Sequence, residues 1–546
     1  MEHLCQYLPL TLQQKTAPMR CINIKLAQTG QIHKLSLDYL NSNPATRELY
    51  DFTPDLAGIA SAIEARKSFP VKRKALVDAL SRQYASIPGK SLVLDNIKSL
   101  GSDNTFTVTT GHQLNIFTGP LYYIYKLVSV IKYAEILKNQ FPNYHFVPVY
   151  WMASEDHDLE EINHFHIWGK TLRWDEKAGE AVGRLNPHSL SPLIDEISGL
   201  TANSPGSAAL TDLLKKAYLE HNTLADAVRY LVNELFGDSG LVVMDADDAE
   251  LKKALIPVLE KDIFENSFYA DVNKTIEKIQ NDYKIPLSPR EINVFYLGEN
   301  SRHRIVFEDD KYKVFGSEKI WSGAELKTEL HEHPEHFSPN VVLRPVYQEL
   351  ILPNLAYIGG NHEIAYWLEL KAAFKNAGVF YPQVLVRDSA LIIGKKAAEY
   401  LAILKLQPED MFLSPKEIKA KYYEVNELEH NSEKEIALIL EQYEKLRNDL
   451  QGLPSDLAAN IVKQMNIQVK EVRKWKNDIH QKQLELQEKY VAKLDKIYAT
   501  FYPEGEFQER YDNFIPYYLQ YGREWFNMLK ESFNVLDADC HIFIEE

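Results

Sequence analysis

The sequence predicts an α/β protein: a Rossmann-like parallel sheet with helices on both faces, two insertions, and a C-terminal α-helical coiled-coil hairpin. Two patterns carry that class. Between residues 105 and 386, short β-branched or continuously apolar runs alternate with helical segments, which is the order of a doubly wound parallel sheet. Beyond residue 414 the apolar residues recur three and four apart on either side of a glycine–proline break, the spacing of two antiparallel helices. Size agrees, since 546 residues with 45% hydrophobic content exceed one ordinary domain and suffice for a sizeable core.

The first hundred residues read as helices, with helical spacing over Ile63 to Ser81 and Leu92 to Leu100. Thr105 to Thr110 is short and β-branched, lies between Asp103-Asn104 and Gly111, and reads as a strand. Gly119-Pro120 opens a helix over Leu121 to Leu137, with Leu127, Val130, Ile131, Ala134 and Leu137 on one side. Proline suits the first helical position. Phe146 to Trp151 is continuously apolar, as in a strand buried on both faces. Leu241 to Met244 and Phe380 to Val386 read as further strands. Two stretches interrupt the alternation: a polar helical one at 176–235, and short antiparallel strands within about 288–325 (Asn293 to Leu297, Arg302 to Phe307, Tyr312 to Phe315).

Ser414-Pro-Lys-Glu417 is a capping box with proline inside it, a helix start. Ile436, Ile439, Tyr443, Leu446 and Leu450 then form one seam, Gly452 and Pro454 break it, and Met465, Val469, Val472, Ile479, Leu486, Tyr490, Leu494, Ile497 and Phe501 form a second. At ~1.5 Å per residue the second helix is about 70 Å long. So long an apolar seam is expected to pair with a second copy, giving a homodimer. The expected division is therefore 1–175 (N-terminal helices and first half of the core), 176–235 (helical insertion), 236–400 (second half of the core with its β insertion), 401–502 (hairpin) and 503–546 (a segment returning to the core).

Composition excludes several roles. Acidic residues outnumber basic ones 77 to 61, net −16, and no basic patch offsets this, so no nucleic-acid partner is expected. No run approaches the ~20 apolar residues that span a bilayer, so no membrane association is expected. Met1 to Arg20 lacks a basic stretch followed by an apolar one, and reads as no signal peptide. Cys5, Cys21 and Cys540 form no C-x-x-C pair and no disulfide framework, which points to a reducing cytoplasm.

Three constellations carry candidate chemistry. The first is Thr109-Thr110-Gly111-His112-Gln113 followed by Thr118-Gly119-Pro-Leu-Tyr122-Tyr-Ile-Tyr125, between a strand and a helix. Ligands bind at the carboxyl ends of parallel strands, and glycines let backbone N–H groups approach an anion at a helix N-terminus. Neither the Walker loop nor the dinucleotide glycine fingerprint is present. The second is Ser154-Glu155-Asp156-His157-Asp158, where crowded carboxylates separate their pKa values and a histidine can serve as base. The third runs from Ser338-Pro-Asn-Val-Val-Leu-Arg344-Pro345 through Gln348-Glu349 to Tyr357-Ile-Gly-Gly360-Asn361-His362-Glu363 and Tyr366-Trp367. Arg344 suits a carboxylate or phosphate, and the aromatic pair suits either a ligand wall or the core. His112, His157 and His362 match no local zinc spacing, so no metal site is predicted; His331, His333 and His336 read as surface residues of a polar loop.

Taken together these motifs resemble one family, the cysteine ligases of bacillithiol biosynthesis. The resemblance rests on Thr-Gly-x-Gln followed by Thr-Gly-Pro-Leu-Tyr, on Glu-Asp-His-Asp with Glu161-Ile-Asn163 downstream, on Ser-Pro-Asn-Val-Val with Arg344-Pro345, and on Glu363-Ile-Ala-Tyr-Trp-x-Glu369. It implies a core similar to class I aminoacyl-tRNA synthetases, with two connecting insertions and a dimerising coiled coil. It implies a ligase joining the carboxyl group of cysteine to the amine of glucosaminyl malate, with ATP forming an adenylate. His112, Thr118 and Gly119 would then cradle phosphate or the reacting carboxyl group, Asp156 and His157 would handle the amine proton, and Arg344 and Asn361 would hold the malate carboxylates or the sugar. The sequence departs from the synthetase pattern where two signature histidines would stand, at Tyr122 and Tyr125, and the lysine-rich loop is reduced to Gly394-Lys-Lys396. Those departures favour a second reading, a non-catalytic nucleotide- or sugar-binding protein. A scaffold organised around the hairpin is a third.

Overall fold

The structure, a computed structural model, describes residues 19–88, 90–177, 179–426, 432–450 and 454–546. Cys5, Gly452 and all of the Met1 to Arg20 segment but its last two residues lie outside them. The chain forms two compact units, one built from residues 21–391 with 509–541 and the other chiefly from 392–508.

The first unit is organised on five parallel strands: β1 (Thr105–His112), β2 (His145–Met152), β3 (Val242–Asp245), β4 (Asn354–Gly359) and β5 (Gln383–Val386). Their order is β5-β4-β1-β2-β3, with β1 at the centre. Strands covered on both faces need apolar or satisfied side chains throughout. The threonines of β1 meet that demand, since the hydroxyls of Thr107 and Thr109 both donate to Asn354 Oδ1, at 3.1 and 2.9 Å. Helix α1 (Leu121–Gln140) follows β1, α2 (Arg344–Ile351) precedes β4, and α3 (Asn361–Glu369) follows it. All five strands end on the same edge, and that edge holds the candidate site.

Three features differ from the sequence reading. Strand β1 runs on through Gly111 and His112, which pair with Trp151 and Met152, so these residues are sheet and not loop. Ile63 to Ser81 is two helices, Leu56–Arg66 and Arg73–Gln83, because Pro70 has no N–H to continue a helix. The β insertion has five antiparallel strands, and Phe337–Pro339, well beyond residue 325, adds beside Val294–Gly298. The segment at 176–235 contains the helices Ser191–Thr201, Ser207–Leu219 and Leu224–Phe236.

In the second unit Ser414 and Glu417 form the capping box of helix Pro415–Val425. Helix α4 (Ser432–Asp449) packs on α5 (Ser455–Phe501), a single helix of 47 residues. Ile436, Leu450, Met465, Val472, Tyr490, Leu494, Ile497 and Phe501 are buried. Ile439 and Leu446, read as part of the seam, face solvent in the single chain, as do Leu438, Ile467 and Trp475. No helix among the described residues is long and apolar enough to cross a membrane.

Candidate functional site

A cavity of about 410 Å³ opens at the carboxyl ends of β1, β2 and β4. Of the residues expected at a site it is lined by Gly111, His112, Gln113, Arg344, Tyr366 and Trp367. Lys126, Glu161, Gln348, Tyr357 and Glu363 complete its polar lining.

Its floor is an ion pair whose cation is buried. Lys132 of α1 is half-buried and Glu135 and Lys138 reach solvent, but Lys126 points at the strand ends and its side chain is 2% exposed. Its ammonium donates to the carbonyl of Gly111 at 2.9 Å and pairs with Glu363 Oε1 at 2.5 Å. Glu363 Oε2 accepts from the Tyr357 hydroxyl at 2.8 Å, and Oε1 accepts the N–H of Gly360 at 3.1 Å. Burial pushes the Lys126 pKa down, and Glu363 opposes the shift. Gly111 fits closely here, since a Cβ would stand 3.2 Å from the Tyr357 hydroxyl.

One wall is an arginine clamp. Asp156 accepts from Arg344 Nη2 at 3.2 Å and from Arg302 Nη1 at 3.4 Å. Burial works to raise its carboxyl pKa, but Arg344, the His157 hydrogen bond and Arg302 outweigh it and hold it well below the usual carboxylate range. Arg302 comes from the β insertion and is itself fixed by Ser338 Oγ and the carbonyl of Pro339, at 3.3 and 3.4 Å. Its Nη1 also lies 3.0 Å from His157 Nδ1. A guanidinium only donates, so Nδ1 is the accepting atom of this contact.

These contacts correct several expectations. Asp156 is held between two guanidiniums well below the usual carboxylate range, which makes it a weak proton acceptor, and His157 Nδ1 is engaged by Arg302. His112 does not supply the charge missing at Tyr122 and Tyr125. Burial, Lys126 and Arg387 push its pKa well below normal and keep it neutral. Tyr125 is core, its ring edge-on to Phe533 at 5.7 Å. Tyr122 stands 5.3 Å from the His112 ring, off the cavity, with burial raising its pKa to about 12. Glu155 is buried against Lys252 at 2.7 Å. The hydroxyl of Thr110 is buried within the sheet edge.

The Thr118-Gly119 turn is also closed. The N–H of Thr118 donates to Asn115 and that of Gly119 to Ile116, while Leu121 N–H donates to the carbonyl of Asp512 at 2.8 Å. Asn513 Nδ2 donates to the carbonyls of Phe117 and Gly119, at 2.9 and 2.7 Å. Phe117, Thr118 and Gly119 all have positive φ, so this is a strained turn pinned from a distant part of the chain. Gly360 directs its N–H to Glu363. Asn361 uses its amide on His33 and Gln31, at 3.1 and 2.9 Å. His362 is exposed beside His33. Trp367 belongs to both readings offered for it: it stacks on Tyr357 at 4.2 Å and its edge reaches the cavity.

Gln348, Tyr357 and Glu363 lay within the third constellation without a role of their own, whereas Lys126, Glu161 and Arg302 were not among the expected site residues. A lysine on the buried side of an otherwise apolar helix was the signal for Lys126. Arg302 had none, since its meeting with Asp156 depends on how an inserted sheet folds back. Gln348 is held by Glu349, whose pKa burial raises to about 7. Burial also raises the Glu161 pKa, opposed by Gln113 and reinforced by Asp158 and Asp156.

Comparison with known proteins agrees with this architecture. The family model described as bacillithiol biosynthesis BshC, N-terminal Rossmann-like domain, matches residues 19–388. Its C-terminal coiled-coil counterpart matches residues 390–545. Among relatives named "Putative cysteine ligase BshC", that of Flavobacterium johnsoniae is 38% identical over 535 residues, covering 96% of this chain and 99% of the relative. That of Flavobacterium psychrophilum is 39% identical over 529 residues, with the same coverage. That of Bacillus cereus is 28% identical over 547 residues, again covering 96% and 99%.

Proposed function

The chain belongs to the BshC family of bacillithiol biosynthesis, and on that premise we propose that it is a cytoplasmic ligase forming an amide between the carboxyl group of cysteine and the amine of glucosaminyl malate. The observation that carries the proposal is the balance of charge around the cavity. Lys126 is matched by Glu363, Arg344 by Asp156, and Glu161 stands at the mouth. Such a site suits substrates that bear both an amine and carboxylates, as cysteine and glucosaminyl malate do. Arg344 gives one N–H to Asp156 and keeps further donors for a substrate carboxylate, which its planar fork matches.

An ammonium must lose a proton before it attacks a carboxyl carbon. Glu161 takes that role, because its raised pKa makes it a stronger base than an ordinary carboxylate. Lys126 faces the negative charge that develops on the carboxyl oxygen as the new C–N bond forms. Amide formation from a free carboxylate in water needs an external source of free energy, and ATP is the proposed source. The Thr118-Gly119 turn does not fit its phosphates, because the backbone donors there are engaged, so no step is assigned through that turn.

We also propose that α4 and α5 pair with a second copy. Leu438 and Trp475 are 57% and 52% exposed on the hairpin of a single chain, and a seam of such residues is costly in water. Sedimentation of wild type and Trp475→Glu reads this directly, with a dimer expected to become a monomer.

The test of the reaction is purified protein incubated with cysteine, glucosaminyl malate and ATP, with bacillithiol read by mass spectrometry. Product that requires all three and is lost in Arg344→Ala supports the ligase. Sugar binding without product under any nucleotide overturns it in favour of a binding protein.

A further inference from the structure

Away from the cavity, the turn that closes the β insertion gathers two imidazoles and a carboxylate. His333, Glu335 and His336 each bring one ligand atom within 4.8 Å of the others. The residues follow helix Gly323–Glu332 and occupy the short turn Pro334–His336, which leads directly into the strand Phe337–Pro339. Proline at the start of the turn fixes φ and limits how far the two rings can separate. Their centroids lie 5.0 Å apart at an interplanar angle of 22°.

We propose that these three residues form a binding site for a divalent transition-metal ion of the zinc class. Two imidazole nitrogens with one carboxylate oxygen suit a borderline cation such as Zn²⁺, whereas calcium and magnesium take oxygen sets. The turn is already oriented by neighbours. Glu329 Oε1 lies 2.9 Å from Nδ1 of His336 and accepts from the Tyr296 hydroxyl at 2.6 Å. A carboxylate beside a ligating histidine is the usual arrangement for holding its ring in place. Glu329 and Glu335 also add negative charge at the site, with Lys319, 3.8 Å from Glu329, the facing cation. His333 is exposed, so an ion held here keeps a position open to water.

The place of the turn gives such an ion a structural consequence. The carbonyl of Glu335 accepts from Lys252, whose ammonium pairs with Glu155, next to Asp156. The strand that follows carries Ser338 and Pro339, the two residues that fix Arg302. A cation on the turn therefore staples the segment that holds the arginine clamp.

The experiment uses the untagged full-length chain, loaded with Zn²⁺, passed through a desalting column and measured for metal by mass spectrometry, with Co²⁺ loading as an absorbance reporter. About one ion per chain is expected, with a rise in Tm on loading, since an ion bound by the folded state alone stabilises it. His333→Ala and His336→Ala are expected to lose both the ion and the Tm rise, while their metal-free Tm stays near that of the metal-free wild type. Absence of stoichiometric metal in wild type overturns the proposal. So does metal retained in both variants, which would place it elsewhere.

Discussion

The turns after β1 and β4 look alike in sequence and end in opposite states. Each runs from a strand through glycine into a helix, Thr118-Gly119-Pro120 into α1 and Gly359-Gly360-Asn361 into α3, and each invites an anion at the helix start. Around the first, Asp512 and Asn513 arrive from the far end of the chain, engage Leu121 N–H and two turn carbonyls, and shut it. At the second, Glu363 takes the glycine N–H and in doing so places its carboxylate on Lys126 and Tyr357, inside the cavity. A glycine turn at a strand end thus identifies the right edge of the sheet. Which turn feeds a charged group into the cavity is decided by what packs against it.

That contrast can be broken in order of expected effect. Replacing Lys126 by Met removes the cation at the second turn, and is expected to lower kcat by about 10²- to 10³-fold in the condensation assay, the usual loss for one preorganised electrostatic group. Substituting Asp156 by Ala leaves Arg302 and Arg344 facing each other in a buried wall. Denaturant unfolding is expected to show a loss of about 3–5 kcal/mol, as for other broken buried ion pairs. Asn513→Ala opens the first turn and is expected to cost about 1–3 kcal/mol of stability from the buried carbonyls left unpaired, with kcat close to wild type in the folded protein. A large kcat effect with intact stability would instead return the chemistry to that turn.

A separate effect is set by pH. Glu369 is fully buried, and burial raises its pKa from 4.5 to about 8. The folded state then holds the proton more tightly than the unfolded state. This group's contribution to stability is complete below the unfolded pKa and is lost as pH rises through the folded value. Glu369→Gln should therefore gain Tm relative to wild type between pH 5 and pH 8, in melts recorded at the two values. A constant difference would show that the carboxyl does not titrate there.

The fold was legible where local pattern and tertiary role coincide. Phe146 to Trp151 is apolar throughout because β2 is covered on both faces, and Ser414 with Glu417 caps its helix wherever the unit sits. The site was legible only in part. Arg344 and the Gly111 to Gln113 edge were visible as a polar run at a strand end. The same logic placed Tyr125, which is core, and Asn361, which is engaged by the N-terminal segment. The missing part is non-local: Arg302 reaches Asp156 across 146 residues, and Lys126 meets Glu363 only because β1 and β4 are sheet neighbours. Periodicity reports burial of a face, and it carries no information about which distant charge that face will meet.

On the proposed reading, chemistry occurs in the cavity between β1 and β4 and not at the Thr118-Gly119 turn and its tyrosines. The most direct measurement compares bacillithiol formation by Lys126→Met and Tyr125→Phe under identical cysteine, glucosaminyl malate and ATP. Lys126→Met is expected to lose about two to three orders of magnitude in kcat while Tyr125→Phe keeps near-normal turnover. Loss of turnover in Tyr125→Phe with Lys126→Met active and folded would contradict that reading.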